Sequence, residues 1–144
     1  MRDVMGTKQV LVVDDELYVT TVLAQKLRQG GHVVRSASDG EEGVAAALDV
    51  VPNLIITDFQ MPLMTGLEMA ARLRETATTA AVPILMLTAR GHRVTPAELA
   101  ATNIKAVLPK PFSIRQLLAK VDELLAAGPE AVVVAGAVAE SNRR

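Results

Sequence analysis

Short apolar runs and stretches of helical periodicity take turns along the chain. Val10–Val13 is a Val-rich run closed by Asp14-Asp15. Glu16–Gln29 then sets Val19, Val22, Leu23 and Leu27 at helical spacing and stops at Gly30-Gly31. His32–Ala37 reads as a second strand. Asp39–Val51 reads as a helix with Asp39 as N-cap and Val44, Ala47, Leu48 and Val51 inward, broken by Pro52. Asn53–Thr57 is a third strand ending at Asp58, and Thr65–Thr76 a third helix with Leu67, Ala70, Ala71 and Leu73 inward. Val82–Leu87 is a fourth strand ending at Thr88. A fourth helix starts late, because Thr95-Pro96-Ala97-Glu98 is a capping box with Pro at the first helical position, and it ends by Asn103. Lys105–Leu108 is the fifth strand, closed by Pro109-Lys110-Pro111. Ser113–Ala127 has the strongest helical pattern, with Ile114, Leu117, Leu118, Val121, Leu124 and Leu125 on one stripe, and Gly128-Pro129 ends it.

Five strands alternating with five helices predict parallel βαβ units with right-handed crossovers. Near-continuous apolar strands mean burial on both faces, hence an α/β doubly wound five-stranded parallel sheet. The expected division is an N-terminal extension over 1–7, one domain over 8–127, and a tail or linker start over 128–144.

The polar residues then change the picture. Asp14 and Asp15 follow strand one, Asp58 strand three, Thr88 strand four and Lys110 strand five. In a parallel sheet these ends share one edge, where such folds place their ligands. Any one of these residues alone reads as a helix cap, a turn or a solvated loop charge. Their joint placement on strands one, three, four and five, skipping strand two, points to one crevice. Three close carboxylates need a counter-charge. A hard cation with oxygen ligands supplies it, which suits Mg²⁺. A carboxylate there can attack phosphorus and form an acyl phosphate, with a Lys and a hydroxyl on the phosphoryl oxygens. His32 and His92 read as surface or strand residues.

Composition narrows the field. Among 144 residues, 50% are apolar, and 15 Lys+Arg against 16 Asp+Glu give a net charge of −1. That removes the electrostatic case for direct nucleic-acid binding. The absence of Cys excludes disulfides, thiolate-held zinc and thiol nucleophiles. Aromatic residues are 2% of the chain, namely Tyr18, Phe59 and Phe112, so the core must be aliphatic and stacking ligands have no platform. Met1–Gln9 is polar with no signal-type apolar h-region after it, and Ala131–Ala139 is about half of a membrane span, so a cytoplasmic protein without membrane contact is expected.

With those residues laid out, the sequence resembles the receiver domain of CheY-like response regulators. The matching segments are VLVVDDE (Val10–Glu16), LIITDFQMPLMTG (Leu54–Gly66), ILMLTA (Ile84–Ala89) and AVLPKPF (Ala106–Phe112), and the resemblance covers about Lys8–Ala127. It implies a flavodoxin-like sheet of order 2-1-3-4-5. Asp58 would accept phosphate from a sensor histidine kinase or phosphotransfer protein. Asp15, Asp58 and the Gln60 backbone carbonyl would ligate Mg²⁺, with Asp14 acting through metal-bound water. Lys110 would pair with the acceptor carboxylate and then the phosphoryl group, and Thr88 would bind a phosphoryl oxygen and carry the switch. The Lys110-Pro111 bond would be cis. The protein would be a signalling phospho-acceptor rather than an enzyme. Its output would pass through the helix 4–strand 5–helix 5 face to a downstream protein, as a monomer or a phosphorylation-dependent homodimer.

Departures from the family pattern carry their own expectations. The family's usual Tyr or Phe three residues before the motif Lys is Val107 here, a β-branched residue that cannot swing as an aromatic does. Arg90 and Gln60 occupy positions that flank the phosphoryl group in the family and tune its lifetime. Ala89–Val94 becomes a long loop before the short fourth helix. No effector domain is expected within the residues after Ala127, so the chain reads as a stand-alone receiver or as the receiver part of a longer regulator. A receiver that binds its partner without phosphorylation is a further reading. A haloacid-dehalogenase-like aspartyl-phosphate hydrolase would need a second Asp two residues past the nucleophile, where Gln60 stands.

Overall fold

The structure is a computed structural model that describes residues 7–89 and 92–139, the stretch 129–139 as backbone only. Ten elements follow one another: β1 (Gln9–Val13), α1 (Leu17–Gln29), β2 (Val33–Ala37), α2 (Gly40–Asp49), β3 (Leu54–Asp58), α3 (Gly66–Arg74), β4 (Ile84–Thr88), α4 (Pro96–Ala100), β5 (Ile104–Pro109) and α5 (Ile114–Ala139). The sheet order is β2-β1-β3-β4-β5, with every pairing parallel. This is the doubly wound parallel sheet that the alternating pattern predicts, in the flavodoxin-like order that the family resemblance implies.

Strand alternation splits the core into two layers. Leu11, Val13, Ile55, Ile84 and Met86 face one side, where α2 and α3 bring Val44, Ala47, Met69 and Leu73. Val10, Val12, Leu54, Ile56, Leu85 and Leu87 face the other, against Leu23 and Leu27 of α1 and Leu117, Val121 and Leu124 of α5. Both layers are aliphatic, as the aromatic shortage requires, and the α2/α3 layer adds Met61, Met64, Met69 and Met86.

Side-chain caps set the helix starts. Asp39 Oδ1 accepts from Glu42 N at 2.8 Å. Thr65–Glu68 and Thr95–Glu98 form complete capping boxes, and Ser113 Oγ accepts from Gln116 N at 3.0 Å.

Three details depart from the sequence pattern. Leu48 and Val51, expected inward on the second helix, are 45% and 41% exposed. That helix packs instead through Gly40 and Gly43, where a Cβ would collide with Met64 and Met69. The β4–β5 register shifts between Ile84, opposite Ile104, and Leu85, opposite Ala106, so Lys105 is an extra residue in the edge strand. Gly128, at φ 72° and ψ 169°, breaks α5 as expected, yet helical backbone resumes and runs to Ala139. The predicted appendage is therefore helical over that stretch. Among the described residues, no helix is long and apolar enough to cross a membrane.

Candidate functional site

The C-terminal edge of the sheet collects the predicted polar residues. Val13 is the last residue of β1, and the chain leaves the sheet there into Asp14 and Asp15. Asp14 N donates to the Ala37 carbonyl at the end of β2, which fixes the start of this turn. Asp58 and Thr88 are the final residues of β3 and β4, and Lys110 follows β5. The Phe59 N–H donates to the Leu87 carbonyl and the Lys110 N–H to the Thr88 carbonyl, both at 2.8 Å, so the three strand exits are tied side by side.

One oxygen from each of Asp14, Asp15 and Asp58 lies within 4.8 Å of the others. Asp14 and Asp58 are buried and Asp15 is exposed. Asp58 Oδ1 is 2.8 Å from Lys110 Nζ. Asp14 Oδ1 accepts from the Glu16 backbone N–H at 2.9 Å, whereas its Oδ2 is buried with no partner. Thr88 Oγ1 is likewise buried and unpartnered. Burial chiefly pushes the Asp14 carboxyl up from 3.8 to about 6; the charges of Asp58 and Glu16 add to this, and the Glu16 N–H and Lys110 oppose it. For Lys110, burial acts downward but is outweighed by the hydrogen bond and charge of Asp58, aided by Asp14 and Glu16, so its pKa is raised.

Two buried polar atoms left without partners, beside three carboxylates and one ammonium, mark a site built for something more than the chain itself. The donor set is all oxygen, and the orphaned Asp14 Oδ2 offers a further one. Such a set fits a hard divalent cation.

The other predicted positions fall around this centre. Gln60 is exposed just past the acceptor strand and, with Asp15, Met61, Pro62 and Thr65, lines a cavity of about 300 Å³. The Lys110–Pro111 peptide is cis. Val107 is partly buried and packs against the α2/α3 layer. Arg90 lies outside the described residues.

Several contributors escaped sequence reasoning. Gly66 N donates to the Phe59 carbonyl, and a Cβ at Gly66 would run into the Asp58 backbone carbonyl, so only glycine lets α3 begin this close to the acceptor strand. The motif ending in Gly66 held that signal. Glu16 engages Asp14 through its backbone, which no side-chain pattern reveals. His92, expected to be an unremarked surface residue, stacks on Phe59 with ring centroids 4.1 Å apart and planes tilted by 39°.

A parallel α/β sheet with an acidic triad, a hydroxyl and an ammonium at one edge defines a class of α/β domain whose oxygen-rich site could hold a metal ion. Comparison with known proteins makes this specific: residues 10–122 match the response regulator receiver domain, and the chain belongs to that family, the CheY-like domains of two-component signalling. Among curated relatives, it is 39% identical over 121 residues to the alkaline phosphatase synthesis transcriptional regulatory protein PhoP of Bacillus subtilis, covering 82% of this chain and 48% of that protein. It is 33% identical over 117 residues to the DNA-binding dual master transcriptional regulator RpaA of Synechocystis, covering 81% and 48%. The chain thus spans about half the length of the curated relatives it matches. Their names give no support to the expectation that nucleic acid plays no part. Among solved structures, chemotaxis response regulator CheY4 of Vibrio cholerae superposes with a TM-score of 0.75 at 32% identity, covering 82% of this chain and 98% of that one. The Francisella response regulator 1452 receiver domain does so with 0.74 at 26%, covering 83% and 97%.

Proposed function

We propose that this domain is a phosphorylation-controlled switch whose acceptor is Asp58. The observation that carries the reading is the buried Asp58 carboxylate held by Lys110 at 2.8 Å, with the unpartnered Asp14 Oδ2 and Thr88 Oγ1 on adjoining strand ends. An Asp58 oxygen bonds to the phosphorus of a phosphohistidine on a sensor kinase or phosphotransfer protein. The bond from phosphorus to the imidazole nitrogen breaks, and that nitrogen takes up a proton. Lys110 orients the carboxylate beforehand and then follows a phosphoryl oxygen. Thr88 Oγ1 donates to another, which ends its isolation and draws the end of β4 toward the acceptor. Mg²⁺ would be held by Asp15, Asp58 and the Gln60 carbonyl, with Asp14 acting through water; when bound, it neutralises charge on the phosphoryl oxygens. The domain acts only on itself, so it is a signalling acceptor rather than a turnover enzyme, and it works in the cytoplasm beside its kinase.

Phosphate lifetime is set by Gln60 and Arg90, whose positions flank the phosphoryl group in the family. Output leaves through the face formed by α4, β5 and α5. A second reading is favoured by the length of the named relatives: where the native polypeptide continues, the switched face regulates an effector of the same chain, and DNA contact belongs to that part.

The test is incubation with acetyl phosphate with and without Mg²⁺, read by intact mass. A Mg²⁺-dependent gain of one phosphoryl group, absent in Asp58→Asn, supports the reading. Wild-type protein that takes no phosphoryl group from acetyl phosphate or from a histidine kinase overturns it.

A further inference from the structure

β3 is apolar until its last two residues, Thr57 and Asp58. Thr57 is fully buried. Strand alternation puts it on the face of Ile55, and its paired neighbours Val13 and Met86 belong to the same α2/α3 layer. A hydroxyl in such a layer costs stability unless it is hydrogen-bonded. Its single proton has two acceptors in reach, the Asp58 carbonyl at 3.0 Å and Met61 Sδ at 4.0 Å. Distance, and the weakness of a thioether as acceptor, assign it to the carbonyl.

That carbonyl belongs to the acceptor residue, at the point where the sheet stops supplying partners. Ile55 and Phe59 send their N–H groups to Pro83 and Leu87 on the β4 side, so the backbone of Asp58 faces β1. The β1–β3 pairing ends one residue earlier, with Val13 opposite Thr57. The Asp58 carbonyl is also the atom that a Cβ on Gly66 would strike, so it lies against the start of α3. The next carbonyl, of Phe59, accepts from Gly66 N at 2.8 Å. Two successive carbonyls are thus held on the α3 side, one by a side-chain hydroxyl and one by a backbone N–H. Past them the chain delivers Gln60 beside Asp15 on the wall of the 300 Å³ cavity.

We propose that Thr57 is a positioning residue for phosphoryl acceptance. Its hydroxyl fixes the peptide that follows Asp58, and so sets the Asp58 carboxylate and the Gln60 carbonyl at the spacing a shared cation needs. It acts through the Asp58 backbone and touches neither the cation nor the phosphoryl group. The contact of Lys110 with Asp58 Oδ1 at 2.8 Å does not use this hydroxyl. The proposal rests on the reading of Asp58 as acceptor and adds the residue that holds it in register.

The test compares wild type, Thr57→Val and Thr57→Ser as full chains. Val keeps the shape and removes the donor, whereas Ser keeps the donor. Mg²⁺ is titrated into ¹⁵N-labelled protein and followed at the Asp15, Asp58 and Gln60 amides, and urea unfolding is measured without metal. Thr57→Val is expected to weaken Mg²⁺ binding by about tenfold and to slow phosphorylation by acetyl phosphate, with Thr57→Ser within about twofold of wild type. If Thr57→Val does not fold, Thr57→Ala carries the same expectation. The Mg²⁺ titration involves no phosphoryl transfer, so its outcome reads separately from any failure of Asp58 to accept phosphate. Wild-type Mg²⁺ affinity in Thr57→Val, with or without a lower urea midpoint, would overturn the proposal. Equal weakening in Thr57→Ser and Thr57→Val would overturn it as well.

Discussion

Asp14 shows most plainly how single residues are poised for the site's chemistry. Its side chain is buried, with one oxygen bonded to the Glu16 N–H and the other to nothing. A carboxyl whose folded pKa is raised to about 6 from 3.8 binds an extra proton in the folded state between those values. The associated stability is fully present below about pH 4 and is lost as pH rises through about 6, on the order of 2 kcal/mol in all. In chelator at pH 7.5, Asp14→Asn should therefore raise the urea midpoint of unfolding, while losing the stabilisation that added Mg²⁺ gives the wild type. A lower midpoint for Asp14→Asn without metal would contradict this. Gly66 carries the opposite risk. Gly66→Ala places a Cβ against the Asp58 backbone carbonyl. It should cost about 1–3 kcal/mol in denaturant unfolding and slow phosphorylation by moving the acceptor strand.

At the scale of elements, α4 differs from the other described helices in having no buried residue. With little burial in five residues, its start relies on the Thr95–Glu98 capping box. Thr95→Ala should speed hydrogen exchange at the Leu99 and Ala101 amides by about fivefold, corresponding to about 1 kcal/mol of cap stability. The global melting temperature should stay unchanged. A drop in global stability would mean that α4 is integral to the fold. The Phe59–His92 stack pins the loop to the residue after the acceptor. A double-mutant cycle of Phe59→Leu and His92→Ala should give a coupling of about 0.5–1.5 kcal/mol, and zero coupling would remove the stack as a link between the residue after Asp58 and the segment that leads into α4. That link matters because Val107 occupies the position where the family usually carries an aromatic.

Across the whole molecule, the parallel sheet and the gathering of its acidic residues were legible for one reason. Strands buried on both faces leave their polar residues at their ends, and a parallel sheet gathers those ends on one edge. Asp14, Asp58, Thr88 and Lys110 therefore announced the edge at which they gather. What remained hidden depends on atoms that hydrophobic patterns do not weigh. The inward face of α2 combines Val44 and Ala47 with Gly40 and Gly43, which allow close approach to methionines, whereas Leu48 is exposed and Val51 lies past the helix. The bulge at Lys105 and the Phe59–His92 stack arise from pairing and tertiary contact, which periodicity within one segment does not encode. The same physical economy makes the function local. Two aliphatic layers hold the strands, and the chemistry is confined to their exits.

The central claim is that Asp58 carries the phosphoryl group. The most direct measurement is to phosphorylate the protein with acetyl phosphate and Mg²⁺, reduce the acyl phosphate with borohydride, and map the modified residue by peptide mass. The account predicts homoserine at position 58 alone, formed only when Mg²⁺ was present. Homoserine at Asp14 or Asp15, or none at any aspartate after phosphorylation by a histidine kinase, would contradict it.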